Sequence, residues 1–255
     1  MGGRAAPEDT VVVLPAFNEA VALPRLLRRL VAACGPAVRV LVVDDGSTDG
    51  TAAAAERLAG EMPGLRVLRH PGNRGLGAAL RTGWEAALAA GLPDDGAVVT
   101  MDADDTHDPA LIGALRSLLA RGNDVAIASR FARGGGEVGL SPARRALSQG
   151  ARVFLSLTRH IPGVSDYTCG YRAYRAGALR QAFATYGAGG LITAPGFACT
   201  AEVLLKMAGL GARCAEAPLV LHYEQKAGRS KMRILRTLVG YAHVLSSTRR
   251  SRGTA

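Results

Sequence analysis

Four carboxylates follow directly on an apolar run in the segment VVTMDADDTHDP, residues 98–109. Asp102 and Asp104 are two positions apart, so a strand that ends in a loop can bring both side chains to one divalent cation. Carboxylate oxygens are hard ligands that suit Mg²⁺ or Mn²⁺, and either ion can in turn bind the oxygens of a diphosphate. The segment lacks the glycine and the terminal glutamate of a calcium-binding EF-hand, which excludes that kind of site.

Two neighbours of these aspartates are expected to have structural roles. Asp108 precedes Pro109, a pair that is typical of a helix N-cap followed by proline at the first helical position. His107 is expected to pack or to support a ligand rather than to bind the cation itself.

Strand and helix patterns alternate along the first half of the chain. Short apolar strands are predicted in TVVVLPAF, VRVLVVDD, LRVLRH, GAVVTMDAD and DVAIASRF, each followed or preceded by a helical pattern. Strands this apolar, joined by helices, predict a parallel sheet covered on both faces, in which ligands bind beyond the carboxyl ends of the strands. Polar residues fall at four such ends: Asn18 with Glu19, Asp44 with Asp45, Asp102 with Asp104, and Ser129 with Arg130.

Two of the turns after these strands allow more than one interpretation. In DDGSTDGT an aspartate could bind the N–H groups of a nucleobase, or Ser47 and Asp49 could simply cap the next helix. In NRGLGAAL the glycines at a helix N-terminus, with Arg74, could approach an anion, or they could form only a tight turn.

A third cluster involves arginines. In RRALSQGA, Arg144 and Ser148 lie one helical turn apart on the same face. Together with Arg130 they could form a phosphate pocket, although surface arginines are common in a chain this rich in arginine.

The second half of the chain is less regular. Loops are predicted in ARGGGEVGLSP and YGAGGLITAPG, helices in ARRALSQGARVFLSLTRH and FACTAEVLLKMAGLG, and one strand in ARCAEAPLVL. The tail from Ser230 carries an apolar stripe flanked by arginines, which fits either a helix on an anionic membrane surface or a helix packed on the domain.

Bulk properties limit the class of protein. The chain has 255 residues, a net charge of +10 and four scattered cysteines without a CxxC pair, which indicates reduced, buried thiols rather than zinc ligands. We see no signal peptide and no apolar run long enough to span a membrane, so a cytoplasmic protein is expected. The positive charge predicts an anionic partner. Nucleic acid is disfavoured, because aromatic residues make up only 5% of the chain and the strand ends carry carboxylates.

Eight motifs taken in order resemble those of the family 2 glycosyltransferases, and among these the dolichol-phosphate mannosyltransferase or polyprenyl-phosphate glycosyltransferase branch. They are VVLPAFNEA, VVDDGSTDGT, NRGLGAALRTG, MDADDTHDP, ASRF, RRALSQGA, DYTCGYRAYR and AGRSKM. The resemblance implies a GT-A fold, a Rossmann-like α/β architecture with a mostly parallel central sheet and helices on both faces. It also implies an inverting transfer of a mannose- or glucose-type sugar from GDP-mannose or a UDP-sugar to a polyprenyl phosphate.

The resemblance also assigns roles to residues. The implied metal ligands for Mg²⁺ or Mn²⁺ are Asp102 and Asp104, with Thr106 as a candidate third ligand; these two aspartates and Arg130 are the implied catalytic set. The implied donor site comprises Pro15, Asn18, Glu19, Asp44, Asp45, Arg74, Gly75, Gly77 and Asp102. The implied acceptor-phosphate site comprises Arg130, Arg144, Ser148, Lys226, Ser230 and Lys231. We expect a catalytic domain over residues 1–232 and a basic amphipathic helix and tail over 233–255, able to contact the inner face of the membrane peripherally.

Two departures from the branch leave the acceptor open. Thr106 stands where the branch often has glutamine, so that water or Asp105 could complete the metal shell, and Gln225 stands where it often has arginine. The alternative is a soluble glycosyltransferase that acts on a hydroxyl group, for which Glu202 or Asp166 would be the base. A sugar-nucleotide sensor without catalysis is disfavoured by the retention of Asp102 and Asp104.

Overall fold

The computed structural model describes residues 9–139 and 142–222 together with Gly240 and Val244; in the helix that starts at residue 142, side chains are described from 148 onward, except at 151. The strands are β1 (Thr10–Ala16), β2 (Arg39–Asp44), β3 (Leu65–Arg69), β4 (Ala97–Thr100), β5 (Val125–Ser129), β6 (Gly136–Val138), β7 (Arg172–Arg175), β8 (Cys214–Pro218) and β9 (Val220–His222). The helices are α1 (Leu23–Cys34), α2 (Thr51–Ala59), α3 (Leu76–Ala89), α4 (Leu111–Ala120), α5 (Pro142–Thr158), α6 (Ala176–Leu191) and α7 (Ala198–Gly209).

Seven strands form one central sheet in the order β3-β2-β1-β4-β7-β5-β8. Within it only β7 runs antiparallel to its neighbours, β4 and β5. Strands β6 and β9 pair in parallel as a separate two-stranded sheet. The carboxyl ends of β1, β2, β4 and β5 therefore meet at one edge, as the predicted mostly parallel α/β fold requires.

Close packing of α3 on β1 places the N-terminus of that helix beside the strand ends. Val12, Val13 and Leu14 of β1 are fully buried. A Cβ atom added to Gly83 of α3 would lie 2.3 Å from Cγ1 of Val13, so only glycine permits this approach. On the other helices, α1 contacts α2, while α6 contacts both α3 and α7, which is consistent with a sheet covered on both faces.

The five strands predicted in the first half are confirmed, but three predictions for the second half were wrong. YGAGGLITAPG is not all loop, because α6 continues to Leu191 beyond a kink at Gly187, which has a φ of 70°. The strand predicted in ARCAEAPLVL is two strands, because β8 ends at Pro218, which cannot donate a ladder hydrogen bond. ARGGGEVGLSP contains β6, which forms only by pairing with the distant β9.

The tail is described at two positions. Gly240 and Val244 are helical and buried, and a Cβ atom on Gly240 would lie 2.6 Å from Cβ of Ala198 at the start of α7. At these positions the tail packs on the domain rather than facing a membrane. The division of the chain at residue 232 stays a prediction, since the other residues of the tail lie outside the described ones. Among the described residues, no helix is long and apolar enough to cross a membrane.

Candidate active site

The loops after β1 and β2 hold each other in place. The side-chain oxygen of Asn18 accepts a 2.9 Å hydrogen bond from the Thr48 N–H, and the Asn18 N–H donates to Ser47 Oγ at 2.9 Å. The Glu19 N–H donates to Thr51 Oγ1 at 2.8 Å. Asn18 has a φ of 53°, a conformation that asparagine tolerates better than most residues. Two predicted donor-site residues, Asn18 and Glu19, thus belong to the framework of this loop pair.

The two aspartates at the end of β2 are buried and also bind backbone. Asp44 Oδ1 accepts from the Ser47 N–H at 3.2 Å. The Asp45 carboxylate accepts from the N–H groups of Arg74 and Gly75 at 2.9 and 2.7 Å, just before α3 begins. The anion at this helix N-terminus is therefore the Asp45 carboxylate. The helix dipole favours a negative charge at this position.

His70, which the sequence did not single out, completes this cluster. Its Nδ1 lies 2.7 Å from Asp45 Oδ1, and its Nε2 lies 3.0 Å from Thr82 Oγ1 on α3. The only signal was a histidine at the end of a predicted strand, which carried no chemistry by itself. The structure brings together Asp45, Arg74 and Gly75 of the predicted donor site, while their contacts with a nucleotide stay predictions.

Gly77, in the first turn of α3, touches the segment between α6 and α7. A Cβ atom there would lie 2.7 Å from Cγ2 of Ile192. Arg81 Nη2 also donates to the Ile192 carbonyl at 3.4 Å. The glycine is required by packing at this point, in addition to any role beside a diphosphate.

Asp102 and Asp104 follow β4, as predicted. Asp104 Oδ1 accepts hydrogen bonds from the Thr106 hydroxyl at 2.6 Å and from the Thr106 N–H at 3.2 Å. The Asp102 N–H lies 3.2 Å from His107 Nδ1, and the His107 ring stacks on Tyr171 at 5.0 Å. His107 supports the backbone of the site rather than offering a ligand, in line with its expected role.

Asp105 and Asp108 face α1. Arg29 Nη1 lies 2.7 Å from Asp105 Oδ1, and Arg25 Nε lies 3.5 Å from Asp105 Oδ2. This pairing counts against Asp105 as an extra metal ligand. Asp108 accepts from the Ala110 N–H at 3.2 Å within the turn that leads into α4. The helix begins at Leu111 with Ala110 as its N-cap and no side-chain cap hydrogen bond, so the prediction of Asp108 as N-cap before Pro109 at the first helical position was wrong.

The donor set fits Mg²⁺ or Mn²⁺ bound together with a nucleotide. Among the described residues, no three histidine, cysteine, aspartate or glutamate side chains come together as a closed metal site. Two carboxylates from Asp102 and Asp104 leave most of an octahedral shell for phosphate oxygens and water, which is how Mg²⁺ is commonly held in proteins. The hydroxyl of Thr106 donates a hydrogen bond to Asp104 and orients that carboxylate.

Arg130, at the end of β5, is held by two carboxylates. Asp166 binds its Nε and Nη2 at 2.8 Å each, and Glu137 binds its Nη1 at 2.9 Å. The Asp166 side chain is fully buried. Burial by itself raises the pKa of Asp166, but the hydrogen bonds and charge of Arg130 outweigh it and hold that pKa below its ordinary value. The Ser148 hydroxyl lies 3.4 Å from the same Glu137 oxygen.

The remaining predicted acceptor residues are only partly described. Arg144 lies on α5, one turn before Ser148, but its side chain is outside the described part of the chain. Lys226, Ser230 and Lys231, as well as Gln225, lie outside the described residues altogether. Pro15 is the penultimate residue of β1, paired in register with Val43.

Glu202, the other candidate base, forms a buried ion pair with Lys206. It lies 2.5 Å from Lys206 Nζ and accepts hydrogen bonds from the N–H groups of Thr193 and Ala194 at 2.7 Å each. Burial by itself raises the pKa of Glu202, but the Lys206, Thr193 and Ala194 hydrogen bonds lower it overall. A carboxylate with a lowered pKa and fully bonded oxygens is a poor general base.

A cavity of about 310 Å³ opens at the opposite edge of the sheet. Its lining includes Asp94 and Asp95 before β4, Asp124 before β5, and Arg175 at the end of the antiparallel β7. It therefore does not belong to the strand-end site, where the polar residues converge.

The mostly parallel sheet, with paired carboxylates after β4 and a buried arginine after β5 at the same edge, has the architecture of a glycosyltransferase of the GT-A fold. Among solved structures, the fold is similar to that of glucosyl-3-phosphoglycerate synthase from Mycobacterium tuberculosis in complex with Mn²⁺, uridine diphosphate and phosphoglyceric acid. The TM-score is 0.64 at 25% identity, covering 96% of this chain and 79% of that one. The same enzyme with Mg²⁺ and uridine diphosphate gives a TM-score of 0.62 at 25% identity, covering 95% and 78%.

The family model for glycosyl transferase family 2 matches residues 11–183, and the chain belongs to that family. It is 34% identical to the polyprenol monophosphomannose synthase of Mycolicibacterium smegmatis, over 88% of this chain and 81% of that protein. It is also 34% identical to the undecaprenyl-phosphate mannosyltransferase of Micrococcus luteus, over 87% and 86%. The dolichol-phosphate mannosyltransferase of Pyrococcus furiosus is 30% identical over 87% of this chain and 58% of that protein. The chain is therefore a dolichyl-phosphate mannosyltransferase-like glycosyltransferase.

Proposed function

We propose that the protein transfers a hexose from a nucleotide diphosphate sugar to a polyprenyl phosphate, with inversion at the anomeric carbon. The observation that carries the proposal is the arrangement at one sheet edge: paired carboxylates after β4 and a buried arginine after β5. The names of the curated relatives support a mannosyl donor and a polyprenyl phosphate acceptor. The bound Mn²⁺ and uridine diphosphate of the similar structure support a metal-assisted nucleotide site.

In this mechanism Asp102 and Asp104 would hold the divalent cation, which would supply positive charge to stabilise the departing nucleoside diphosphate. The acceptor oxygen belongs to a phosphate that is already ionised near neutral pH, so the displacement needs no strong general base. Arg130, fixed by Asp166, orients that phosphate in line with the anomeric carbon.

The hydroxyl-acceptor alternative is less well supported. It requires a base, yet Asp166 and Glu202 are both fully buried and each accepts several hydrogen bonds. Both have lowered pKa values, because hydrogen bonds from their partners outweigh the effect of burial.

Peripheral membrane contact is part of the proposal, because a polyprenyl phosphate resides in a bilayer. Helix α5, which carries Ser148, exposes three apolar side chains: Val153 is 51% exposed, Phe154 47% and Leu157 81%. Their spacing places them along one side of the helix, and such a stripe binds a membrane interface by burying apolar area. The helix that offers the acceptor-site hydroxyl would thus also lie against the lipid.

A donor screen with radiolabelled sugars tests the function. The purified protein is incubated with vesicles that contain polyprenyl phosphate, and label is counted in the lipid extract with Mn²⁺, with Mg²⁺ or with chelator. We expect metal-dependent label in lipid from a GDP- or UDP-sugar. Asp104→Asn should lower this transfer at least about 100-fold, since it removes a charged ligand, whereas Asp108→Asn is the matched control and should retain it. Label only in a water-soluble product would refute the lipid acceptor, and transfer or nucleotide binding indifferent to metal would refute the metal assignment.

A further inference from the structure

One carboxylate at the acceptor side has no role in the mechanism above. Glu137, on the short strand β6, binds Arg130 Nη1 at 2.9 Å and receives the Ser148 hydroxyl on the same oxygen at 3.4 Å. Its side chain is 5% exposed. Arg130 and Ser148 are the donors assigned to the acceptor phosphate, so an anionic oxygen of the protein stands where an oxygen of that phosphate would be bound.

The charges show that the two anions compete. Arg130 carries one positive charge and is already matched by Asp166, which binds it through two nitrogens. With Glu137 these three side chains sum to −1. A phosphate monoester adds about −1.5 to −2 near neutral pH. Because like charges repel strongly at a buried site, the Glu137 carboxylate competes with a phosphate for Nη1 of Arg130 and for the Ser148 hydroxyl.

The backbone around Glu137 permits such a movement. Gly134 and Gly139 bracket the strand with φ values of 92° and 75°. These are left-handed conformations from which glycine can rearrange at little cost. Strand β6 is three residues long and pairs with β9, another three-residue strand outside the central sheet. Asp166, by contrast, is fully buried and receives N–H groups from its own loop, so it stays with Arg130.

We propose that Glu137 is a specificity-determining residue, an internal anion that occupies the acceptor-phosphate position and admits only a ligand able to displace it from Arg130 and Ser148. A dianionic phosphate can do so, whereas a neutral hydroxyl or a weak anion cannot. Specificity of this kind is obtained by raising the cost of binding for every competitor. The inference rests on the proposed acceptor chemistry, in which these two donors hold a phosphate.

The test compares Glu137→Gln with the wild-type protein. Glutamine keeps an oxygen that can accept from Arg130 but removes the charge that competes with phosphate. If Glu137 is bound to Arg130 in about nine of ten protein molecules, the apparent affinity for phosphate is reduced about tenfold. Glu137→Gln should recover that factor. We therefore expect the KM for polyprenyl phosphate to fall about tenfold while kcat stays within about twofold. Glu56→Gln is the matched control, because Glu56 forms an exposed pair with Arg69 at 3.4 Å, away from the acceptor donors.

A second measurement separates this inference from the proposed function. Inorganic phosphate is titrated against both proteins by calorimetry, without any donor. Tighter binding in Glu137→Gln supports the assignment even if neither protein transfers sugar to lipid, in which case only the proposed function fails. An unchanged phosphate affinity, or a KM that is unchanged or raised, would overturn it. A loss of kcat at constant KM would also overturn it, because Glu137 would then position Arg130 for the reaction instead of competing with the acceptor.

Discussion

Replacing Lys206 by methionine removes the ammonium group around which a buried network is built. Lys206 Nζ lies 2.5 Å from the Glu202 carboxylate and 2.6 Å from the Gly190 carbonyl, and its side chain is 7% exposed. The Glu202 carboxylate in turn accepts hydrogen bonds from the hydroxyl and the N–H of Thr193 and from the N–H of Ala194. The network ties α7 to the segment that packs on Gly77 of α3.

The expected cost follows from leaving one charge buried without its partner. Removing one member of a buried ion pair typically costs about 3–5 kcal/mol. Methionine retains most of the lysine's apolar contacts, so we expect Lys206→Met to lower the free energy of unfolding by about 3 kcal/mol. Glu202→Gln should cost a similar amount. The double variant should lose less than the sum, with a coupling of about 2 kcal/mol, because no charge remains buried.

Urea unfolding of the four proteins measures these values, and initial rates measured in parallel test the rival role of Glu202. If Glu202 only supports the fold, Glu202→Gln and Lys206→Met should both raise the KM for the donor by loosening the contact with α3, and leave kcat similar. A general base would instead lose about 10²–10⁴ in kcat on substitution. Wild-type stability in Glu202→Gln together with such a loss of kcat would refute the structural reading.

The pH dependence of stability has a defined sign. Burial by itself raises the pKa of Glu202, but its hydrogen-bonding partners lower it below the ordinary value of 4.5 in the folded protein. The carboxylate therefore stabilises the fold fully above that ordinary value, and its contribution is lost as the pH falls through the lower folded pKa. Acid unfolding curves should show this loss in the wild type and a smaller one in the double variant. Equal pH dependence in both would contradict the reasoning.

Two further predictions concern the donor side of the site. Gly77→Ala places a methyl group 2.7 Å from Cγ2 of Ile192, and we expect a loss of about 1–3 kcal/mol in calorimetry. Ile192→Ala also destabilises, because Ile192 is buried, but the double variant should lose less than the sum of the two single losses. Additive losses would contradict the proposed clash. Thr106→Val removes the hydroxyl that donates to Asp104 at 2.6 Å. Groups that orient a metal ligand typically contribute about 10–100-fold to metal affinity or activity. The Mn²⁺ concentration for half-maximal activity should therefore rise about 10–100-fold. The exposed Thr185→Val is its control, and an unchanged metal dependence would show that the hydroxyl does not orient the carboxylate.

Local sequence patterns were sufficient for the first half of the sheet. Strands β1, β2, β4 and β5 are continuous apolar runs that end in polar turns, so both their existence and the sharing of one edge by their carboxyl ends could be predicted. Strand β7 could not. Its sequence, Arg-Ala-Tyr-Arg, has no apolar alternation, and Arg172 is fully buried because it donates to the carbonyls of Tyr167 and Thr200 at 2.8 and 2.6 Å. Such a strand is defined by its tertiary partners.

The candidate site, like the sheet, could be predicted from the sequence only in part. The sequence could place Asp102, Asp104 and Arg130 at the correct edge, because each directly follows a predictable strand. It could not reveal what each side chain binds, since the partners are distant along the chain: Asp166 is 36 positions from Arg130, and Asp45 is 25 positions from His70. A residue type at a strand end therefore indicates a candidate, and only its neighbours decide between structure and chemistry.

The neighbours of each acidic residue at this edge indicate different roles for them. Asp45 satisfies two N–H groups at the start of α3, and Asp105 pairs with arginines of α1, so each carboxylate already has partners that a metal ion or a nucleobase would have to share. Asp104 accepts hydrogen bonds from the hydroxyl and the N–H of Thr106, which orient its carboxylate. A carboxylate that is paired with arginine, such as Asp105, has lost much of its attraction for a cation. The same argument applies with opposite sign to Arg130, whose pairing with Glu137 competes with the binding of a phosphate.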